Sequence, residues 1–240
     1  MKIVVRFAQG LFAACMPVMI ITGSIAWAVN SQWLYTSGFQ KYAVADVLAQ
    51  NGLPVTRTDL RQIAGGFVHY FNSGDEYIHL TVQSAGRTVE LFNEEEIIHF
   101  KDVKGLFRLD YGALLGTFLF GAAFAAVALF RKQRRLLART LVIGGGVTLG
   151  LMALLGIGIA FDFNSLFYQF HLISFSNTFW SAEGNMLLLF PGGFWYDAAL
   201  YVTLFAVGLA LLLGGAGAAY LVTHKSEARN PKFETNPKSE

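Results

Sequence analysis

Four long runs of the sequence contain no charged residue, and each is long enough to cross a lipid bilayer. They cover residues 7–29, 111–130, 141–161 and 198–222. About 20 helical residues span a hydrocarbon core of roughly 30 Å, and a helix satisfies its own backbone hydrogen bonds in lipid. With 54% hydrophobic and 14% charged residues, the chain is too apolar for an ordinary soluble domain. The sequence therefore predicts an all-α polytopic membrane protein with four transmembrane helices.

Basic residues gather near the ends of these runs on one side of the predicted membrane. They precede the first run, crowd positions 131–139 between the second and third runs, and follow the last run. Short cytoplasmic loops of membrane proteins carry an excess of Lys and Arg, whereas long loops cross the membrane largely regardless of charge. We therefore predict that both termini are cytoplasmic and that segments 31–110 and 162–197 lie outside.

The start of the chain also has features of a secretory signal peptide, including the small-x-small sequence at residues 26–28. Its apolar run extends over about 23 residues, whereas the apolar region of a signal peptide usually has about 7–15. We therefore expect the first run to remain as an uncleaved anchor. The lone Cys15 excludes an internal disulfide.

Segment 31–110 is expected to form a small cap of mixed α/β structure outside the membrane. Apolar residues recur at a helical period over 39–50, and a second helix is expected to end near residue 71. Alternating apolar and polar residues over 77–82 and 88–92 then predict a β-hairpin.

The sequence thus divides into eight consecutive segments. Their predicted limits are 1–30 for the first transmembrane helix, 31–110 for the extracytoplasmic cap, 111–131 for the second transmembrane helix, 132–140 for a cytoplasmic loop, 141–161 for the third transmembrane helix, 162–197 for an extracytoplasmic or interfacial loop, 198–223 for the fourth transmembrane helix and 224–240 for a cytoplasmic tail. Gly112 with Gly116, and Gly146 with Gly150, have the spacing of close helix contacts in membranes.

His99 is the first candidate for chemistry. Asn93 and Glu96 form a capping-box pattern that predicts a helix start, and Glu96 and Asp102 then lie three residues either side of His99 on one helix face. A carboxylate one turn away can fix the tautomer of an imidazole and raise its basicity, which prepares it for general base catalysis. The alternative is a solvated acidic first turn whose histidine only faces water.

His171 is the second candidate, because it lies in an aromatic-rich segment without Lys or Arg at one end of an apolar run. An ionisable side chain near a membrane is either functional or has its polar tip among the lipid headgroups. Two histidines at one membrane face predict a catalytic pair, or a metal site completed by Glu96 or Asp102. No His-Glu-x-x-His pattern supports a metal, and no Gly-x-Ser-x-Gly elbow supports a serine hydrolase. His69 and His79 are expected to lie on the surface of the cap.

Two short motifs, in this order and among four apolar runs, carry a resemblance to a known family. They are Glu-x-x-His-x-x-Asp-Val (Glu96, His99, Asp102, Val103) and Phe-His-x-x-x-Phe-x-Asn-x-x-Trp (Phe170, His171, Phe175, Asn177, Trp180), followed by the Leu-Phe-Pro-x-x-Phe segment at 189–194. Together they resemble the lipoprotein intramolecular transacylase family of bacterial membrane proteins, over nearly the whole chain.

The resemblance implies a reaction on a bacterial lipoprotein at the outer face of the cytoplasmic membrane. The sn-2 acyl chain of the diacylglyceryl-cysteine would move to the α-amino group of the same cysteine, giving the lyso-form. The two essential histidines of the family match His99 and His171, with Glu96, Asp102, Asn177 and Trp180 in support. The expected partners are a diacylated lipoprotein and membrane lipid, with no nucleic acid, metal or cofactor, and the oligomeric state stays open.

Elementary chemistry agrees with this reaction. An α-amine titrates near 7.7–8.0, so a modest base suffices, and nucleophile and ester belong to one molecule, so positioning supplies much of the rate. One histidine takes the proton while the other protonates the leaving alkoxide or stabilises the oxyanion. The neighbouring carboxylates favour His99 as the base, and Asn177 either donates to the oxyanion or caps a turn.

Two rival hypotheses follow from the same residues. The first is an acyltransferase that uses an external acceptor and relies mainly on one histidine. The second is a non-enzymatic membrane protein that binds a metal or lipid through His99, Glu96, Asp102 and His171. A lipid product without N-acylated lipoprotein would favour the first, and stoichiometric bound metal the second.

Overall fold

The computed structural model describes residues 2–84 and 86–225 of the chain. Within them, four helices are long and apolar enough to cross a membrane, and a two-stranded antiparallel hairpin belongs to a small cap. The predicted polytopic membrane protein with four transmembrane helices and a small mixed α/β cap is confirmed. The elements in chain order are α1 (Lys2–Val29), α2 (Gln32–Lys41), α3 (Val44–Gln50), α4 (Arg57–Asn72), β1 (Thr81–Ser84), β2 (Arg87–Glu90), α5 (Glu94–Phe130), α6 (Arg134–Ser174), a 3₁₀ turn (Phe179–Ser181), α7 (Asn185–Leu189) and α8 (Gly192–Thr223).

All four long helices are longer than a hydrocarbon core is thick, and α5 and α6 are the longest. α5 has 37 residues and α6 has 41, which correspond to about 55 and 60 Å of helix at 1.5 Å per residue. A hydrocarbon core is only about 30 Å thick. Each helix must therefore either project beyond the bilayer or bend, and the functional histidine candidates lie on these surplus turns.

α6 bends sharply at Asp162. The backbone of this residue is not helical, with φ −158° and ψ 84°, and its Oδ1 accepts a hydrogen bond from the Ser165 N–H as a new N-cap (3.0 Å). A Cβ placed on Gly158 would lie only 2.9 Å from Leu166 Cδ1, although residues eight apart in a straight helix are about 12 Å apart. Residues 163–174, called the bent segment below, therefore fold back towards the preceding turns.

The membrane bundle is closed by α6 and α8, whose backbones approach each other through glycines. A Cβ on Gly145 would lie 3.0 Å from both the Ala210 carbonyl oxygen and Gly214 Cα. The prediction that Gly112, Gly116, Gly146 and Gly150 mediate close contacts is wrong, since a Cβ on any of them would meet no described atom within 4 Å. The four-residue spacing fixes a stripe along a helix but does not say which of two adjacent stripes faces a neighbour.

α5 lies at the periphery of this bundle. It packs mainly against α1, where Gly121 is close to Phe12, and it has few contacts with α6. The buried bundle core is instead formed by α1, α6 and α8, through residues such as Met16, Met152 and Ala206. α5 and α6 are consecutive in the chain, yet their membrane portions are not packed along their length.

The cap is built around buried aromatic rings. Phe67 of α4 is fully buried and is surrounded by rings from α2, α5 and the approach to α8, including Tyr35, Phe100 and Phe190. Lys41 Nζ and Asp197 Oδ2 form an ion pair of 2.6 Å that joins α2 to α8. The cap therefore packs as one unit with the N-terminal turns of α5 and α8.

Parts of the predicted cap and termini need correction. The helical period over 39–50 is split between α2 and α3, because Ala43 adopts a left-handed conformation with φ 48°. The predicted hairpin is present with strands Thr81–Ser84 and Arg87–Glu90. From residue 226 onward, the predicted tail lies outside the described residues.

Candidate active site

The start of α5 places His99 in the interior of the cap. The predicted capping box is present, since Asn93 Oδ1 accepts from the Glu96 N–H (3.0 Å) and Glu96 Oε2 accepts from the Asn93 N–H (2.8 Å). His99 follows one turn later and is only 6% exposed. The alternative of a solvent-facing histidine in an acidic first turn is therefore wrong.

The bent segment places His171 opposite His99. His171 is also 6% exposed, and its Nδ1 lies 2.7 Å from the carbonyl oxygen of Phe167, one turn earlier. A carbonyl can only accept a hydrogen bond, so Nδ1 carries the proton in the neutral ring. The Nε2 of His171 is then left with its lone pair, as a base requires.

The two imidazoles face each other inside an aromatic enclosure. Their ring centroids are 6.1 Å apart with an angle of 27° between the planes. Phe175 packs edge-on against His99 at 4.8 Å and also lies 5.5 Å from His171. Phe167 and Trp180 cover the other sides of His171 at 4.4 and 4.9 Å. The rings restrict access of water, and an electrostatic interaction is stronger in such surroundings than in water.

His99 has an unsatisfied polar atom in this enclosure. Among the residues that the structure describes, none offers a hydrogen-bond partner to the buried Nδ1 of His99. Leaving a buried polar atom unpaired costs about 1–3 kcal/mol. A group of a bound substrate can remove this cost, which makes the position suited to a polar atom of a ligand.

Glu96 does not support His99 in the expected way. Its carboxylate is 1% exposed and accepts from the backbone N–H groups of Met186 (2.6 Å) and Asn93 (2.8 Å). A Cβ on Gly184 would overlap Glu96 Oε1. The expectation that Glu96 binds a ring nitrogen of His99 is therefore wrong, because both oxygens face the backbone. Glu96 instead fastens the start of α7 behind the site.

Asp102 and Asn177 form the other connection between the two halves. Asn177 Nδ2 donates to Asp102 Oδ2 over 2.8 Å, and Asn177 Oδ1 accepts from the Phe179 N–H over 3.1 Å. The side-chain amide thus links α5 to the 3₁₀ turn that carries Trp180. Asn177 closes a turn, as one of its two expected roles required, and its amide group is engaged by a carboxylate.

The structure brings His99 and His171 together but does not gather a metal ligand set. Among the described residues, no group of three or more His, Cys, Asp and Glu side chains could hold a metal ion. Ser174 and Ser176 line a neighbouring cleft with Asp102. His69 and His79 are exposed on the cap.

Sequence reasoning missed three contributors to the site. Phe167 supplies the carbonyl that orients His171, and Met186 with Gly184 receives the Glu96 carboxylate. The dense aromatic pattern around His171 was a usable signal for Phe167. Nothing local could have revealed Met186, because it meets Glu96 across 90 residues of chain.

Comparison with known proteins agrees with this architecture. A family model for the lipoprotein intramolecular transacylase Lit matches residues 10–195. The solved structure of Lit from Bacillus cereus is 21% identical, has a TM-score of 0.79 and covers 95% of this chain and 100% of its own. Two more structures of that enzyme, with one histidine replaced by arginine or alanine, give TM-scores of 0.74 and 0.72, identities of 21% and 20%, and coverage of 95% and 94% of this chain and 96% and 97% of their own. No curated protein sequence matches the chain.

Proposed function

Because the chain belongs to the lipoprotein intramolecular transacylase family and is an acyltransferase, we propose that it uses His99 and His171 to form lyso-form lipoprotein. The substrate is a lipoprotein with a diacylglyceryl group on its N-terminal cysteine and a free α-amino group. The sn-2 acyl chain moves from the glycerol oxygen to that amine. The product carries one O-acyl and one N-acyl chain.

The observation that carries this proposal is the pairing of two buried imidazoles from different helices. Their centroids are 6.1 Å apart, so one reacting group can approach both rings, each through a hydrogen bond of about 2.6–3.2 Å. The proposed reaction joins two parts of one molecule, so a site that folds the headgroup between the rings supplies the near-attack geometry.

The hydrogen bonds favour His171 as the base, in place of the expected His99. The α-ammonium first gives one proton to water, and the amine nitrogen then attacks the sn-2 carbonyl carbon. His171 Nε2 takes the second proton from that nitrogen and passes it to the glycerol oxygen as the C–O bond breaks. His99 donates a hydrogen bond to the oxyanion and keeps its proton. One C–N bond forms and one C–O bond breaks.

The packing of the long helices supports a lateral path for the acyl chains. α5 packs mainly on α1 and has few contacts with α6, although both helices lead to the imidazole pair. We place the acyl chains of the substrate between these two helices, with the headgroup at the histidines. Lipid is then a partner as well as the lipoprotein.

The arrangement of charge supports the proposed orientation in the bacterial cytoplasmic membrane. The basic residues of 131–139 lie at the ends of α5 and α6 opposite the histidines. With this link in the cytoplasm, the imidazole pair lies on the extracytoplasmic side and both termini are cytoplasmic. The segments 111–131, 141–161 and 198–223 would then be the membrane-embedded parts of α5, α6 and α8.

The first test is mass spectrometry of the N-terminal lipopeptide of a test lipoprotein after incubation with the protein. Wild type should give a peptide with one O-acyl and one N-acyl chain, and His99→Ala and His171→Ala should each lose it. His69→Ala and His79→Ala are the matched controls, because both side chains are exposed on the cap. Each control should retain wild-type turnover.

Three outcomes would contradict the proposal. Wild-type rates in either His99→Ala or His171→Ala would remove that histidine from the mechanism. A lipoprotein that stays diacylated on glycerol with wild-type protein would reject the reaction. Loss of the sn-2 chain without N-acylation would instead favour transfer to an external acceptor.

A further inference from the structure

A polar cleft adjoins the imidazole pair. It has a volume of about 370 Å³ and lies between α5, the loop after α4 and the end of the bent segment. Phe175 forms its inner wall and is the same ring that packs against both imidazoles. Phe175 therefore borders both the cleft and the imidazole pair, and the two lie side by side.

Two basic residues that line this cleft, Lys101 and Lys104, already bind groups of the cap loop. Lys101 Nζ pairs with Glu76 Oε1 over 2.6 Å. The buried Lys104 Nζ donates to the Asp75 carbonyl over 2.7 Å and to Ser73 Oγ over 3.2 Å. Arg108 lies one turn further towards the membrane portion of α5. Two of the three cations that line the cleft are thus bound to the cap loop.

Asp102 is the carboxylate at the histidine end of the cleft. It lies one turn along α5 from His99, at the i,i+3 spacing that places two side chains on one helix face. Its one side-chain partner is the neutral amide of Asn177, and within residues 2–84 and 86–225 no basic side chain forms a salt bridge with it. A carboxylate has about four acceptor positions, so Asp102 retains capacity for a cation.

We propose that this cleft binds the N-terminal end of the lipoprotein polypeptide, with Asp102 accepting hydrogen bonds from the α-ammonium group. This inference rests on the proposed function. An α-amino group is mostly charged at neutral pH, and a charge-assisted hydrogen bond to a carboxylate is stronger than a neutral one. Asp102 is a positioning residue that holds the nucleophile beside the imidazoles.

The geometry of the substrate favours the same assignment. Its acyl chains belong in lipid, whereas its polypeptide must leave towards water. The cleft gives the first residues after the cysteine a polar path between the cap and the bent segment, where Ser174 and Ser176 offer hydroxyl groups. The amine end of that path lies at Asp102, where attack on the ester begins.

The test measures binding of two unreactive ligands to the full-length protein in detergent. Both are dialkyl ether analogues of a diacylglyceryl-cysteinyl tetrapeptide, which lack the sn-2 ester, and one has a free α-amine while the other is N-acetylated. Wild type should bind the free amine about tenfold more tightly or better, since hydrogen bonds between charged groups are the stronger class. Asp102→Asn should reduce this preference to less than about twofold.

The variants are chosen to separate charge from structure. Asn at 102 can still accept from Asn177, so the link between α5 and the 3₁₀ turn is kept. Asp75→Asn is the matched control, because Asp75 is a carboxylate in the same cleft but in the cap loop, and it should retain the full preference. Asp102→Glu should retain most of it.

Two results would overturn the proposal. One is equal affinity of wild type for both analogues, a comparison that needs no variant and holds even if a substitution at 102 prevents folding. The other is a preference that survives in Asp102→Asn. Neither result touches the proposed function, which is judged by formation of the lyso-form by wild type.

Discussion

The two histidines reach the site on segments that are held by different means. α5 brings His99 from a capping box, and its first turns pack into the buried aromatic core of the cap through residues such as Phe100. The bent segment brings His171 on a short stretch that begins at a non-helical residue and carries exposed apolar side chains, with Ile173 84% exposed. Regions with fewer buried contacts open at lower free energy than packed cores.

This difference assigns distinct parts to the two halves of the site. The α5 half is held rigidly, because Glu96 accepts hydrogen bonds from two backbone N–H groups and the first turns pack into the core of the cap. The position of the α6 half depends on one bend and on aromatic contacts with residues near the start of α8, such as Trp195 and Tyr196. We expect substitutions in the α5 half to lower the free energy of unfolding, and substitutions in the α6 half to lower the rate of turnover.

The largest effect on stability is expected for Glu96→Ala. The change would leave the backbone N–H groups of Asn93 and Met186 without their acceptor. The expected cost is about 1–3 kcal/mol for the buried Met186 donor and about 0.5–1.5 kcal/mol for the part-buried Asn93 donor, or about 1.5–4.5 kcal/mol in total. The measurement is chemical or thermal unfolding in detergent. Glu96→Gln is the control, since it retains an acceptor oxygen, and it should lose less stability and keep turnover. A Glu96→Gln protein that is fully stable but inactive would show that the carboxylate acts in the chemistry.

The next effect is expected for Asp162→Ala at the bend. Loss of the N-cap to Ser165 should cost about 1 kcal/mol, yet turnover should fall by about tenfold or more, since small misplacements of a catalytic group are costly. Rates of lyso-form production and unfolding midpoints are measured on the same preparations. Asp162→Asn still caps the segment and should remain near wild type. Equal rates in the Ala variant would mean that the bend does not depend on this cap.

The smallest effect is expected for Lys41→Met. The ion pair with Asp197 joins the cap to α8, but the Lys41 side chain is 59% exposed, and exposed ion pairs contribute little. The hydrogen bond with Asp197 raises the pKa of Lys41, so the pair persists at neutral pH without stabilising the fold measurably. Unfolding midpoint and turnover should both match wild type at low and high salt. A clear loss of turnover would mean that the cap needs this link to hold its position over α8.

The spans and the start of α5 were predictable because their signals are local. A charge-free run of the right length has few alternatives in lipid, and the capping box depends only on residues 93 and 96. The bend at Asp162 lies where the apolar run 141–161 ends and polar residues begin. The pairing of His99 with His171 followed from their predicted position at one membrane face together with the family resemblance.

The partners of the site carboxylate were not predictable from spacing. Helical spacing places Glu96 and His99 on one face, but it does not say whether the carboxylate turns towards the ring or towards backbone donors. The carboxylate turns towards the backbone because it accepts a hydrogen bond from the N–H of Met186, a residue distant in the sequence. Spacing also failed to identify the glycine at the contact between α6 and α8, which is Gly145 and not the predicted Gly146. The two residues differ by about 100° around the helix axis, and only the position of α8 determines which of them is in contact.

The hydrogen bond from His171 to Phe167 has one more consequence. The acceptor is the main-chain carbonyl that, in an α-helix, also receives the N–H of residue 171, and a carbonyl has two lone pairs to serve both donors. The proton on Nδ1 is thus located by the backbone, and every residue at position 167 except one that breaks the helix supplies the same acceptor. The aromatic side chains around His171 can therefore be substituted without moving the proton from Nδ1, because its acceptor is a backbone atom.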